Sequence, residues 1–148
     1  MRILFVCKYN RFRSQFAERY FKKINRNKRI KAESAGIIEV NKPLTPDEKE
    51  RNKFIKERFG LKLRRRSRGV NAKLLESVDK IIVTADDVPK EIFSGRKWKE
   101  KVSVWKIKDE KAADKKNVNK LGKLIIKKVD VLVKSLKENK KWQKIQKQ

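Results

Sequence analysis

The stretch Arg2-Ile3-Leu4-Phe5-Val6-Cys7-Lys8-Tyr9-Asn10-Arg11-Phe12-Arg13-Ser14 decides how the rest of this chain is read. Its first part, Arg2 to Val6, is a short apolar run of the kind a buried strand needs. From Ser14 the period changes. Phe16, Ala17, Tyr20, Phe21 and Ile24 recur at helical spacing, with lysine and arginine on the other face. Cys7 to Arg13 therefore joins the end of a strand to the start of a helix. Backbone N–H groups in such a turn point inward, and the helix dipole adds partial positive charge, so the loop suits a bound phosphate. Arg13 can grip two phosphate oxygens in a fork. The same positive surroundings favour the Cys7 sulfur as a thiolate, to which Ser14 can donate a hydrogen bond. Asn10 is a residue type that tolerates the left-handed backbone a tight loop requires.

Outward from this stretch the chain alternates strands and helices. Ile30 to Ser34 reads as a second strand, ended by Ala35-Gly36. Thr45-Pro46-Asp47-Glu48 is a helix start in which threonine caps, proline suits the first helical position and Glu48 completes a capping box; Gly60 ends that helix. Leu61 to Arg68 is a basic connection with room for a short strand, and a short helix follows around Ala72 to Ser77. Lys80 to Thr84 and Lys101 to Trp105 are the remaining strands. Val118, Leu121, Ile125, Val129, Leu132 and Leu136 step by three or four along a closing helix, and Trp142 and Ile145 extend its apolar stripe into a lysine- and glutamine-rich tail. This order predicts a single three-layer α/β domain over residues 1–138, flavodoxin-like, with a central parallel sheet of about four strands flanked by helices. Residues 139–148 form a basic helix end or tail. Ligands in such folds bind beyond the carboxyl ends of the strands, which selects the loops after Val6, Thr84 and Trp105.

Composition narrows the chemistry. The 148 residues suffice for one core. With 44 lysines and arginines against 18 acidic residues the formal charge is +26. Such a field attracts phosphate-bearing partners of every kind, including non-specific nucleic acid, although a lysine-rich coat accounts for it equally well. The absence of histidine excludes a Ser-His-Asp triad, a Cys-His pair and a histidine-ligated zinc. One cysteine allows no internal disulfide and fits a reducing compartment. No apolar run approaches the roughly 20 residues of a membrane span. The start at Met1 lacks a signal peptide's apolar stretch and cleavage site, so the expected location is the cytoplasm.

The residues from Ile3 through Cys7 to Arg13-Ser14-Gln15-Phe16-Ala17-Glu18 resemble the opening strand, phosphate loop and first helix of the low-molecular-weight protein-tyrosine phosphatases and their arsenate reductase relatives. Ser34-Ala35-Gly36 resembles that family's Ser-Ala-Gly after the second strand, and Asp109, following Trp105 and Ile107, stands where the family places its acid. The resemblance implies a cysteine-dependent phosphomonoester hydrolase acting on phosphotyrosine or another aryl phosphate, carried by a phosphorylated protein or a small molecule. In it Cys7 is the nucleophile, Arg13 and the loop from Lys8 through Tyr9, Asn10, Arg11 and Phe12 bind phosphate, and Asp109 is the general acid. Asn10, Ser14 and Ser34 brace the loop, no metal or cofactor is needed, and the expected state is a monomer.

The chain also departs from the family pattern. Glu110 rather than proline follows Asp109, so Glu110 and Asp114 are alternative acids, and Lys111 and Ala112 stand where aromatic residues commonly wall the phosphotyrosine slot. Tyr9, Phe12 and Trp105 are the aromatic residues available for such a wall, Trp105 reading rather as core. A supporting histidine of the family is missing, with Arg65 or Arg66 expected near its place. Lys8 and Arg11 read as part of the basic coat in slight preference to a pocket mouth that recruits acidic or phosphorylated substrates, and Asp86 and Asp87 as caps for a helix near Pro89 in preference to a rim for the site. Two other functions fit the same sequence: an arsenate reductase that relies on an external thiol, and a catalytically weak module that binds nucleic acid or phosphate.

Overall fold

A computed structural model describes residues 1–95 and 98–146, with the side chains of Lys90 and of residues 139–146 outside that description. The side chains of Trp142 and Ile145 therefore lie outside the described residues. Four parallel strands, β1 (Arg2–Cys7), β2 (Lys31–Gly36), β3 (Lys80–Val83) and β4 (Val102–Val104), form one sheet in the order β2-β1-β3-β4. The helices are α1 (Arg13–Ile24), α2 (Pro46–Phe59), α3 (Ala72–Ser77) and α4 (Lys115–Gln146), with two 3-10 turns at Lys90–Phe93 and Lys99–Lys101.

Alternation along β1 explains the three layers. Ile3 and Phe5 face the cluster built from Phe16 and Phe21 of α1, Ile55 of α2, and Val118, Ile125 and Val129 of α4. Leu4 and Val6 face the opposite cluster, with Leu74 and Leu75 of α3 and Phe93. A strand buried on both faces needs a continuous apolar run, and β1 has one. α4 lies tight against its neighbours where Gly122 faces the Phe59 ring, a gap that a Cβ would close to 2.7 Å. None of the described helices is long and apolar enough to cross a membrane.

The elements fall where the periodicity placed them, with shifted ends. β2 runs to Gly36 rather than Ser34, because Val6 and Cys7 pair with Ala35 and Gly36 in register. β4 keeps only Val102–Val104, since a 3-10 turn occupies Lys99–Lys101. The segment after Gly60 holds no strand among the described residues, only the bridge Gly36–Gly69. Thr45 caps α2 through the full capping box, and Gly60 closes it with φ 69°. Asp114 starts α4 by accepting from the Asn117 N–H at 3.1 Å.

The core position Ile125, with no exposed surface, contrasts with Val131, 65% exposed on the same helix. Urea denaturation should show Ile125→Ala destabilised by about 2–5 kcal/mol, and Val131→Ala within about 0.5 kcal/mol of wild type.

Candidate active site

Because β1 is the second strand of the sheet and α1 begins six residues after its last residue, the turn between them sits at the carboxyl edge. Cys7 ends β1 and is buried. Its Sγ lies 3.0 Å from the Ser14 hydroxyl and accepts the Asn10 N–H at 3.2 Å. Asn10 has φ 55°, the left-handed backbone its residue type tolerates. The turn's N–H groups at Tyr9, Arg11 and Phe12 donate to no protein acceptor among the described residues, so they remain available to an anion.

Asn10, fully buried, holds the turn by all four of its hydrogen-bonding groups. Its Nδ2 donates to Ser14 Oγ (2.7 Å) and Ser34 Oγ (3.0 Å). Its Oδ1 accepts the Arg68 N–H at 3.0 Å and the Arg64 guanidinium at 3.3 Å, and its carbonyl accepts from Gln15 Nε2 at 2.6 Å. Ser34 in turn donates to Glu18 (2.5 Å) and accepts from Arg64 (2.9 Å). The expected braces Asn10, Ser14 and Ser34 thus form one network, to which Glu18, Gln15 and Arg64 are additions that sequence reasoning missed. Arg64, not Arg65 or Arg66, reaches Asn10; the latter two are exposed. Gly36 belongs to the same construction, since a Cβ there would come within 2.7 Å of the Tyr9 carbonyl carbon and 2.8 Å of the Asn10 nitrogen.

Arg13 ties the three carboxyl-edge loops together. Only 3% exposed, it donates to the Ile107 carbonyl at 3.0 Å in the loop after β4. It also pairs with Asp87 at 3.0 Å in the loop after β3, with Asp86 at 3.9 Å. The expectation that Asp86 and Asp87 cap a helix is corrected: the turn at Lys90–Phe93 has no side-chain cap, and Asp87 is held instead by the buried cation.

A cleft of about 200 Å³ opens over Cys7, and Tyr9, Arg11, Phe12, Arg13, Glu48, Arg51, Asp109, Glu110 and Ala112 complete its lining. The thiol, Arg13 and both neighbouring carboxylates, Asp109 and Glu110, therefore share one space. Asp114 is spent on the α4 start, with both carboxylate oxygens bonded to Asn117, and is not in that lining. Trp105 packs on Phe5 in the core, at 5.9 Å between ring centroids. Tyr9 and Phe12 are the aromatic residues of the lining, and Lys8 lies over the Tyr9 ring, 5.2 Å from its centroid.

Arg11 is not part of the coat. It pairs with Glu48 at 2.7 Å and donates to the carbonyls of Lys42 and Pro43, fastening the loop ahead of α2 to the turn. Arg51, one helical turn beyond Glu48 and 5% exposed, donates to the Arg11 carbonyl at 2.8 Å and stacks over Phe12. Burial lowers its pKa below the ordinary arginine value, against the opposing pull of Glu48 and Asp109. Burial would raise the Glu48 carboxyl, but the Thr45 N–H and the charges of Arg11 and Arg51 outweigh it and hold that carboxyl below its ordinary value. The one sequence signal for this pair was the i, i+3 spacing of Glu48 and Arg51 on the first turns of α2.

A thiol at the turn between the first strand and first helix of a four-stranded parallel sheet, beside a buried arginine, is the layout of a protein-tyrosine phosphatase-like hydrolase. The sequence model described as low molecular weight phosphotyrosine protein phosphatase matches residues 2–142, and the chain belongs to that family. A search of the curated proteins finds no significant match. Among solved structures, a low molecular weight phosphotyrosine phosphatase from Vibrio cholerae O395 superposes with a TM-score of 0.78 at 18% identity, covering 94% of this chain and 98% of its own. An arginine phosphatase from Geobacillus stearothermophilus gives 0.74 at 19% identity, with 93% and 94% covered. An arsenate reductase from Archaeoglobus fulgidus gives 0.65 at 27% identity, with 88% and 98% covered.

The lowered Glu48 carboxyl has a thermodynamic consequence. Such a group adds stability in full above the ordinary glutamate value of 4.5, and that stability is lost as pH falls through the lower folded-state value. Glu48→Gln keeps the capping hydrogen bond and removes the charge. Its urea midpoint should lie below wild type at pH 7, and the gap should close in acid.

Proposed function

We propose that the protein is a phosphomonoester hydrolase working through a phosphocysteine. The observation that supports this best is the Cys7 sulfur, held by Ser14 and the Asn10 N–H at the base of a cleft that Arg13 and Asp109 also line. In the proposed reaction this sulfur is the nucleophile. In the first step Sγ bonds to phosphorus while the P–O bond to the leaving group breaks, and Asp109 gives its proton to the departing oxygen. Arg13 and the free turn amides stabilise the charge on the equatorial oxygens. In the second step the Asp109 carboxylate takes a proton from water, whose oxygen bonds to phosphorus as the S–P bond breaks, restoring the thiolate. Asp87 and the Ile107 carbonyl hold the Arg13 guanidinium at a fixed angle, leaving its remaining N–H groups for phosphate. A related arginine phosphatase whose active-site cysteine is replaced by serine carries phosphate on that serine, which supports an intermediate on the nucleophile.

The leaving group is set by the cleft walls. Tyr9 and Phe12 offer an aromatic surface to an aryl phosphate such as phosphotyrosine. Asp109 and Glu110 favour a second reading, in which a cationic phosphoguanidinium meets carboxylates instead. A reductase that relays a disulfide through its own thiols would need more than the one cysteine present, so that chemistry would require an external thiol. A free, buried thiol fits the reducing cytoplasm.

The test is hydrolysis of an aryl phosphate and of phosphoarginine by wild type and single variants. Cys7→Ser should abolish turnover and still bind orthovanadate. Asp109→Asn should lower kcat by roughly 10²–10⁴-fold, whereas Glu110→Gln should change it little. The reverse order for the two carboxylates would move the acid to Glu110. Full activity in Cys7→Ser would end the reading.

A further inference from the structure

Beyond the loop that Arg11 fastens lies a second, larger cleft. It measures about 900 Å³ and runs between α2, the 39–44 loop and the extended segment after Gly60. Lys49, Lys53 and Lys56 line it from α2, their i, i+4, i+7 spacing placing them on one face. Lys62, Arg65 and Arg66 line it from the opposite segment, and Lys42 stands on the loop. Glu39 is the lone carboxylate of the lining.

These seven cations differ from the arginines around the thiol, where Arg51 is buried and bonded to the Arg11 carbonyl. Arg11, Arg13 and Arg64 each have a carboxylate partner, and so do Arg2 and Arg68. None of the seven makes an ion pair among the described residues, and all seven are exposed. Like charges at i, i+4 on a helix repel, and facing cations across a concave space repel further, with field lines focused between the walls. An anion of several charges relieves both. The floor, from Leu44 and Leu63, is aliphatic, and no aromatic residue lines the cleft. Nucleic-acid bases would find no stacking platform there, whereas closely spaced phosphates need only cations.

We propose that this cleft is a binding site for a ligand of clustered phosphates without a base, of the chemistry of a short inorganic polyphosphate chain. It is separate from the Cys7 cleft and independent of what that cleft hydrolyses. The 42–44 loop walls this cleft alone, and Arg11, which lines the other, holds it from the Cys7 side.

Titration calorimetry of the full chain with sodium tripolyphosphate, at about 50 mM salt where charges are weakly screened, provides the test. Lys53→Glu/Lys56→Glu should weaken binding by about tenfold or more, while Lys123→Glu/Lys127→Glu, an equal charge change on exposed α4 positions, should weaken it less than about threefold. Saturating orthovanadate should leave the affinity unchanged. Circular dichroism and a cooperative urea transition would show that both variants fold. Absence of binding by wild type, equal losses in both variants, or displacement by vanadate would each overturn the proposal. So would tighter binding of a single-stranded oligonucleotide of matched charge with the same dependence on Lys53 and Lys56, which would make the cleft a nucleic-acid surface.

Discussion

The structure depends on one residue placed in an unfavourable backbone conformation and then bonded at every polar atom. Asn10, at φ 55°, turns the chain so that its own N–H meets the Cys7 sulfur. A non-glycine residue held in this region costs free energy and persists only where its surroundings fix it. Here they do: the side-chain amide spans Ser14 on α1 and Ser34 on β2, and the arginine-rich segment after α2 supplies both donors to Oδ1. The turn is thus fastened to the sheet, to the first helix and to a distant connection at once. With no histidine in the chain, a guanidinium occupies the network, and Glu18 offsets its charge within the same cluster.

Arg13 solves a second problem of assembly. A buried guanidinium is costly unless paired and hydrogen-bonded. Asp87 and the Ile107 carbonyl meet that demand from the loops after β3 and β4, so the guanidinium that lines the Cys7 cleft also fastens the loop that carries Asp109, Glu110 and Ala112. Asp109 stands two residues beyond Ile107, and its place in the lining follows from that anchor. Arg11 does the corresponding work on the other side, where it joins the turn after β1 to the start of α2.

Much of this was legible in the residue order. The continuous apolar run of β1, the change to helical period at Ser14, the capping box at Thr45 and the stripe of α4 are local signals, and each marked its element to within a few residues. The turn itself was readable because Cys7, Asn10, Arg13 and Ser14 lie within eight consecutive positions. Partners across long separations were not. The Asp87 carboxylate is 74 residues from Arg13 and Arg64 is 54 from Asn10, and in a chain this rich in arginine nothing local distinguishes Arg64 from Arg65 and Arg66. Arg11 and Asp87 read as coat and cap for the same reason: their neighbours are charged, and only their distant contacts set them apart.

The amino-acid order on its own determined which segments are strands, which are helices, and that a lone thiol stands at the turn between the first of each. Period, capping and backbone tolerance act over a few residues and need no knowledge of the rest. Tertiary structure decided which of many like charges are paired with carboxylates and which are left facing one another across open space. Electrostatic pairing acts at a few ångströms, and those distances exist only once the sheet has brought remote loops to one edge.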